Sequence, residues 1–200
     1  MKITVIGATG MVGQRVVAEA LSRGHEVVAG SRRGTPVEGA QSLAIDLADT
    51  AAVADQMASS DATVLSVPPA RDGSSHEPTL AAHRALIAAQ PEGRLLVVGG
   101  AGALQAGDTQ LRNTPGFPAE YKAESDTFAD VLELYRAADG LDWTMLAPAP
   151  VIAPGERTGK YQVELDTPAG DSISAEDFAV ALVDELEKPA HRGVRFTVAN

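Results

Sequence analysis

The stretch that decides the fold is Ile3-Thr4-Val5-Ile6-Gly7-Ala8-Thr9-Gly10-Met11-Val12-Gly13, which leads into an amphipathic segment that ends near Ser22. The first four residues are apolar or β-branched and predict a buried strand. The next segment has its apolar residues at helical spacing and predicts a helix from Met11 to Ser22. Because three glycines at the spacing G-x-x-G-x-x-G stand where the strand ends and the helix begins, the sequence predicts a strand, a tight turn and a helix in direct succession.

Each glycine of this turn has its own predicted role. Gly7 permits the tight turn, Gly10 lets the backbone approach a pyrophosphate, and Gly13 lets the helix pack close to the strand. Free N–H groups and the positive dipole end of the helix then hold the phosphates, with a hydroxyl donor from Thr9. The alternative is a plain joint that needs glycine for geometry only. We predict a dinucleotide site formed by Gly7, Thr9, Gly10, Met11, Val12 and Gly13.

The end of the second predicted strand indicates which dinucleotide binds. Sites for NAD place an acidic residue there, about 20 residues after the glycine turn, to hold the ribose 2′-hydroxyl. This chain has Gly30-Ser31-Arg32-Arg33 and no acid at that place. One hydroxyl and two guanidinium groups suit a 2′-phosphate, so Ser31, Arg32 and Arg33 predict NADP(H) in preference to NAD(H). The alternative is that the two arginines are solvated loop charges.

Along the rest of the chain, apolar runs alternate with helical patterns, which is typical of βαβ units around a parallel sheet. We therefore predict an α/β fold, a Rossmann-type doubly wound parallel sheet with helices on both faces and a small C-terminal extension, in one domain over residues 1–200. Further strands are expected at 26–30, 42–45, 62–67, 94–98, 142–146, 159–165 and 194–198, further helices after Asp49 or Thr50 and at 76–90, 120–138 and 175–187, and a long surface loop at 101–119.

More candidate residues stand at the predicted carboxyl ends of the strands, where open α/β sheets bind ligands. Asp46 either contacts the adenine amino group or caps the short helix that follows. Gly99 and Gly100 either let a nicotinamide approach the backbone or only end a strand. The candidate residues at the ends of the fourth and fifth strands are Ser66, Val67, Pro68, Gly99, Gly100 and Ala101.

Composition excludes several classes of function. The net charge of −11 argues against nucleic acids and anionic membranes as partners. The absence of cysteine excludes disulfides, thiolate metal sites and cysteine nucleophiles. The four histidines have no metal-ligand spacing, so no metal site is expected. With no apolar run of membrane length and no signal-peptide pattern at the start, we expect a cytoplasmic protein, either a monomer or a homodimer.

With these residues in view, the chain resembles the atypical short-chain dehydrogenase/reductase group, in particular its NAD(P)H-binding flavin reductases and biliverdin reductase B-like proteins. The resemblance covers nearly the whole length. It rests on GATGMVG (7–13), SRR (31–33), VVGGAGAL (97–104), LDWTMLAPAPVIAPGERTGKY (141–161) and SISAEDFAVALVDEL (172–186). It implies hydride transfer from NADPH to a bound flavin or another flat, quinone-like acceptor. It also implies that the nicotinamide lies near 99–102 and near Pro148, Ala149, Pro150 and Val151.

The chain lacks residues that members of this group use for proton transfer. Short-chain dehydrogenases use Tyr-x-x-x-Lys, in which tyrosine protonates the nascent alkoxide and lysine lowers its pKa. Here Tyr121 is followed four residues later by Ser125 instead of lysine. The biliverdin reductase B relatives also carry a serine near Gly99-Gly100. These departures argue against the reduction of ketones and of biliverdin. They also argue against a nucleotide-sugar epimerase, which would need the Tyr/Lys pair and a larger substrate domain.

Tyr121 remains the candidate proton donor, and the alternative is a phenol half-buried at a helix start. A non-catalytic NADP(H)-binding sensor is the competing function, since the Tyr/Lys pair is missing. Two further surfaces are expected. Arg157, Thr158 and Lys160 either receive an anionic acceptor or are exposed turn residues, and the acidic residues of the last helices form a solvated face.

Overall fold

The strand predicted from the apolar run before Gly7 lies in the middle of the sheet in the computed structural model, which describes all 200 residues. The twelve strands are β1 (Lys2–Ile6), β2 (Glu26–Ser31), β3 (Gln41–Ala44), β4 (Ala62–Leu65), β5 (Arg94–Val98), β6 (Gln105–Ala106), β7 (Thr109–Gln110), β8 (Trp143–Pro148), β9 (Val151–Ala153), β10 (Gln162–Glu164), β11 (Ser172–Ser174) and β12 (Arg195–Ala199). The five helices are α1 (Met11–Ser22), α2 (Thr50–Ala58), α3 (Glu77–Ala89), α4 (Ala119–Arg136) and α5 (Ala175–Glu187).

Eight strands form the main sheet in the order β10-β12-β8-β5-β4-β1-β2-β3. All neighbours are parallel except β10, which runs antiparallel to β12 at one edge. The chain proceeds from β1 outward to β3 and then returns to place β4 on the other side of β1. This reversal of strand order makes the carboxyl ends of β1 and β4 the crevice where such sheets bind ligands.

Helices cover both faces of the sheet, as the sequence predicts. On one face α1 packs against α5, with Val16, Val17, Phe178 and Leu182 fully buried. On the other face α2, α3 and α4 cover a second core that includes Met57, Leu86, Leu132 and Tyr135. Since both faces are covered, the central strands are continuous apolar runs with no alternation. The predicted Rossmann-type fold is therefore confirmed.

The segment 101–119 differs from the predicted surface loop. Gly102, Ala103 and Leu104 are buried, and the chain then forms the small antiparallel hairpin of β6 and β7. A Cβ on Gly102 would lie 2.4 Å from the Cβ of Ser125, so glycine lets this segment lie directly on α4. Residues 102–104 of the expected loop are thus buried.

Two short strands were not predicted at all. β9 and β11 pair in parallel, with Val151 opposite Ser172 and Ala153 opposite Ser174. Three residues are too few to show the alternation that identifies a strand.

No helix is both long and apolar enough to cross a membrane, and no three His, Asp or Glu side chains lie close enough together to hold a metal ion.

Candidate functional site

The glycine turn connects the end of β1 to the start of α1 and is tied to the end of β2. The N–H groups of Gly7 and Ala8 both donate to the carbonyl oxygen of Gly30, at 2.9 and 3.0 Å. Gly7 has φ +90°, a conformation that side chains disfavour. Hydrogen bonds therefore fix the turn against the strand that carries Ser31 at its end.

The three glycines serve different purposes in the structure. A Cβ on Gly7 would lie 2.1 Å from the carbonyl oxygen of Ser66, and one on Gly13 would lie 2.1 Å from that of Gly7. These two glycines are required by packing, although Gly13 packs on the turn and not on the strand as predicted. At Gly10 the nearest atom to an added Cβ is 3.4 Å away. The fold itself leaves space above Gly10.

The start of α1 has backbone donors without partners in the chain. The first helical hydrogen bond runs from the Gln14 N–H to the carbonyl oxygen of Gly10, at 3.0 Å. The N–H groups of Met11, Val12 and Gly13 make no hydrogen bond within the chain, and Gly10 offers no side chain to cap them. Three free donors at the positive end of a helix form an anion-binding site, and the glycine turn exposes them.

Ser31, Arg32 and Arg33 follow directly on β2, beside the glycine turn. Ser31 is buried, and its hydroxyl oxygen accepts a hydrogen bond from the Thr35 N–H at 2.9 Å, which shapes the loop. Arg32 and Arg33 are exposed and make no ion pair or hydrogen bond. Each of the other ten arginines pairs with a carboxylate of the chain.

The residues that follow β4 contact the glycine turn, whereas Asp46, which follows β3, is exposed to solvent. Asp46 is exposed after β3, and its Oδ1 accepts from the Ala48 N–H at 3.0 Å. The cap of α2 is Asp49, whose side chain accepts from the Ala52 N–H. Ser66 and Val67 lie against Gly7, whereas Pro68 is exposed beyond them. Of the two roles considered for Asp46, the helix cap is therefore excluded.

At the ends of β5 and β8, packing accounts for the glycines. An added Cβ on Gly99 would lie 2.8 Å from the side chain of Met145, and one on Gly100 would lie 3.1 Å from that of Phe128. Pro148 and Ala149 are buried at the end of β8, whereas Pro150 and Val151 are exposed. Ala101 begins the turn that packs on α4. Any ligand at this edge would contact the exposed members, Pro150 and Val151.

Tyr121 lies in the first turn of α4, and its side chain is 58% exposed. Its hydroxyl group makes no hydrogen bond within the chain. Ser125, at the place of the family lysine, is buried against Gly102, and Lys122 pairs with Asp126 at 2.5 Å. No cation of the chain is therefore hydrogen-bonded to the phenol.

Arg71 was not among the residues predicted from the sequence. Its Nε and Nη2 donate to the two carboxylate oxygens of Glu124, at 2.9 and 2.8 Å. These hydrogen bonds raise the pKa of Arg71 above its ordinary value. Glu124 is three residues after Tyr121 on α4, so the two side chains occupy neighbouring places on the helix surface. In the sequence, the only signal for this arrangement is the three-residue spacing of Tyr121 and Glu124.

Residues 154–161 form a strap across α1 and α5, which we call the clasp. Arg157 donates to both carboxylate oxygens of Glu19 at 2.7 Å. The fully buried Asp177 accepts from the N–H and hydroxyl groups of Thr158 and from the Gly159 N–H. Arg157 is thus engaged within the chain. The predicted solvated acidic face is wrong at Asp177 and at Glu185, since both are buried.

The hydrogen bonds of the clasp also affect protonation. The bond from Arg157 lowers the pKa of Glu19 below its ordinary value, and burial of the carboxylate opposes this only in part. The Arg23 guanidinium contributes in the same direction as Arg157. Glu19 therefore remains ionised in the folded protein.

Comparison with known proteins agrees with this geometry. YwnB of Bacillus subtilis is 39% identical over 212 residues, covering 100% of this chain and 99% of the relative. Two crystal structures match the whole chain. A Burkholderia pseudomallei protein provisionally described as exported is 37% identical, with a TM-score of 0.89 and 100% of both chains covered. A Streptococcus pneumoniae protein provisionally named NADH-flavin reductase is 34% identical, with a TM-score of 0.84 and coverage of 100% and 99%.

The matched family is described as NAD(P)H-binding, and the match extends over residues 7–189. It begins at the first glycine of the turn and reaches past the end of α5. The resemblance drawn from the sequence motifs is confirmed at this level. Because nearly all of the fold is covered, the chain belongs to the NAD(P)H-binding family.

Proposed function

We propose that the protein is an NADPH-dependent oxidoreductase that passes hydride to a planar acceptor, a flavin or a quinone-like ring. The observation that carries the cofactor assignment is the pair Arg32 and Arg33, unpaired beside the glycine turn. The flavin assignment is supported by the Streptococcus pneumoniae relative, whose provisional name is NADH-flavin reductase.

The missing ion pairs of Arg32 and Arg33 do not reflect a shortage of carboxylates. The chain has 27 acidic and 16 basic residues, and every other arginine has found an acidic partner. A guanidinium that stays unpaired in such a chain is available for an external anion. The ribose 2′-phosphate distinguishes NADPH from NADH, and this loop has two cations and a hydroxyl to receive it.

The residues of the turn fit the remainder of the cofactor. The N–H groups of Met11, Val12 and Gly13 are free to hold a pyrophosphate, and the space above Gly10 admits it. Bound NADPH supplies the hydride, and an oxidised flavin takes it up with a proton from water. The chain then has to hold two flat rings in contact and exclude water, which requires no acid–base pair. The absence of Tyr-x-x-x-Lys is compatible with that task.

The exposed apolar side chains favour a flat acceptor. Among the large hydrophobic residues that remain exposed, Met11, Tyr121 and Val151 belong to the helix starts and strand ends at the carboxyl edge of the sheet. Met11 and Val151 begin α1 and β9, and Tyr121 lies in the first turn of α4. Covering them with an aromatic ring would remove apolar area from water. Tyr121 is the candidate to contact the acceptor ring and to donate a proton where an acceptor needs one.

The test is NADPH oxidation by the purified protein with FMN, riboflavin and a set of quinones. Turnover is expected with at least one of them. Gly10→Val is the variant that should block the pyrophosphate site without disturbing the fold. The backbone at Gly10 (φ −76°, ψ 170°) accepts valine, and the added Cβ meets no protein atom closer than 3.4 Å. The variant should fold normally and lose turnover. Wild-type protein that oxidises no NADPH with any flavin or quinone would contradict the proposal.

A non-catalytic NADP(H) sensor is the second candidate, and a specific observation favours it. The Tyr121 hydroxyl has no partner and Ser125 replaces the lysine that would activate it, so no proton donor is prepared at the site. This function requires tight NADPH binding without hydride transfer. Steady NADPH consumption with a natural acceptor would exclude it.

We also place the reaction in the cytoplasm, where NADPH is regenerated, and expect the protein to be a monomer or homodimer with a small-molecule acceptor as its partner. The Burkholderia relative is described as exported, which makes cell fractionation the appropriate test. Recovery of the native protein outside the cytoplasm would contradict this location.

A further inference from the structure

We propose that Arg71 recognises an anionic group on the acceptor, so that the preferred substrates are planar rings that carry a phosphate or carboxylate. This inference rests on the proposed function and narrows it. It makes FMN a better acceptor than riboflavin, which has the same ring system and no phosphate.

The position of Arg71 follows from the path of the chain after β4. Ser66 lies against Gly7, so this segment leaves the sheet directly beside the cofactor turn. It then crosses to α4, where it is attached at two points. Arg71 bonds Glu124, and His76 Nδ1 lies 2.7 Å from the Thr127 hydroxyl oxygen. Arg71 is therefore fixed to the first turns of α4, five residues after the point at which the chain passes the glycine turn.

The way in which Arg71 is held leaves it open to a ligand. Glu124 engages Nε and Nη2, and Nη1 has no hydrogen-bond partner. The Arg71 side chain is 69% exposed, the largest fraction among the ion-paired arginines, whereas that of Glu124 is 22% exposed. The carboxylate fixes the orientation of the guanidinium plane from one side. The free N–H groups then point away from it, ready for an incoming anion.

Tyr121 supplies the complementary apolar surface. It precedes Glu124 by about one turn of α4, and its aromatic side chain is exposed and has no hydrogen bond. An aromatic ring beside a fixed guanidinium suits a ligand with a flat part and a charged arm. In this arrangement Tyr121 contacts the ring of the acceptor and Arg71 binds its anionic group.

The negative net charge of the protein makes Arg71 important for binding an anionic acceptor. At −11, the protein disfavours anionic molecules in general. Lys122 and Arg112, the other cations near the start of α4, both pair with Asp126. Their side chains are 21% exposed for Arg112 and 43% for Lys122, so Arg71, at 69%, is the most exposed of these three cations. It therefore decides between charged and neutral versions of the same ring.

The experiment compares FMN with riboflavin as acceptors for wild-type protein, Arg71→Ala and the control Arg84→Ala. Arg84 is also an exposed arginine in a surface ion pair, with Glu77 on α3. Wild type should prefer FMN. Arg71→Ala should lower kcat/KM for FMN about tenfold, as expected for one charge-assisted hydrogen bond, and that for riboflavin by less than about twofold. Arg84→Ala should resemble wild type with both flavins.

Glu124→Gln tests the positioning role of Glu124. It should reduce the ratio of FMN to riboflavin kcat/KM without lowering riboflavin turnover, since the guanidinium loses its fixed orientation. Equal losses for both flavins in Arg71→Ala, or no change for either, would overturn the inference.

A binding titration separates this inference from the proposed function. FMN and riboflavin are titrated into the NADP⁺ complex of each variant. If no flavin or quinone is reduced but FMN binds more tightly through Arg71, the proposed function fails and the inference holds. If wild type reduces both flavins equally well, the proposed function holds and the inference fails. If neither flavin binds and no quinone is reduced, both fail.

Discussion

The clasp contacts α1 near its end, the cofactor turn leads into its start, and the charged groups at these two places differ in whether the chain supplies partners. The clasp donates to Glu19 of α1 and Asp177 of α5, which are buried and each accept several hydrogen bonds. At the turn, Arg32 and Arg33 and the first N–H groups of α1 have no partner. Polar groups that the fold satisfies contribute to stability, whereas exposed groups that it leaves free are available for a ligand. The two ends of α1 therefore serve folding and binding separately.

The largest effect is expected in the clasp. Asp177→Ala removes the buried carboxylate that accepts from both Thr158 donors and from the Gly159 N–H, and it leaves these exposed donors to water. The free energy of unfolding should fall by about 3 kcal/mol, because three charge-assisted hydrogen bonds are lost. Urea denaturation measures this, and Asp55→Ala, at an exposed unpaired acid on α2, should cost less than about 0.5 kcal/mol. The folded fraction of Asp177→Ala should bind NADPH as wild type does. A loss of less than about 1 kcal/mol would show that the clasp does not stabilise the fold.

The next effect concerns binding alone. Replacing both Arg32 and Arg33 by alanine removes two cations that have no partner in the chain. The Kd for NADPH should rise about 30-fold, corresponding to about 2 kcal/mol, because two exposed charge-assisted hydrogen bonds are lost. The Kd for NADH and the melting temperature should not change. Calorimetric titration and thermal denaturation measure these quantities. Equal weakening of both dinucleotides would refute the role of the arginines.

The smallest effect is a pH dependence of the clasp. Because the pKa of Glu19 is lowered on folding, its contribution to stability is complete above the ordinary value of 4.5 and is lost as the pH falls through the folded pKa. Glu19→Gln should therefore cost about 1 kcal/mol at neutral pH and make stability less steep in acid. Urea midpoints across the acid range give the slope. An unchanged acid slope in the variant would show that this carboxylate is not responsible.

Sequence patterns predicted the parts of the molecule that depend on neighbours in the chain. The glycine turn and the long helices are local, and the sequence placed α1 at its observed limits. β9 and β11 were missed because they have three residues each. The buried segment around Gly102 was missed because Gly and Ala are equally typical of loops.

The missed polar contacts join distant parts of the chain. Asp177 occupies an ordinary position in the first turn of a helix, and its burial depends on Thr158, 19 residues earlier. Glu19 is bonded by Arg157 across 138 residues, and Arg71 by Glu124 across 53. No pattern within one element shows which charge a distant loop will bring to it. For the same reason, the sequence could not reveal that Arg32 and Arg33 are the arginines left without partners.

In the proposed complex, free donors at the start of α1 hold NADPH together with Arg32 and Arg33. A calorimetric titration of the wild-type protein with NADPH and, separately, with NADH tests this directly. NADPH should bind at least about tenfold more tightly, because only its 2′-phosphate reaches the two arginines. Equal affinity for the two dinucleotides, or no binding of either, would contradict it.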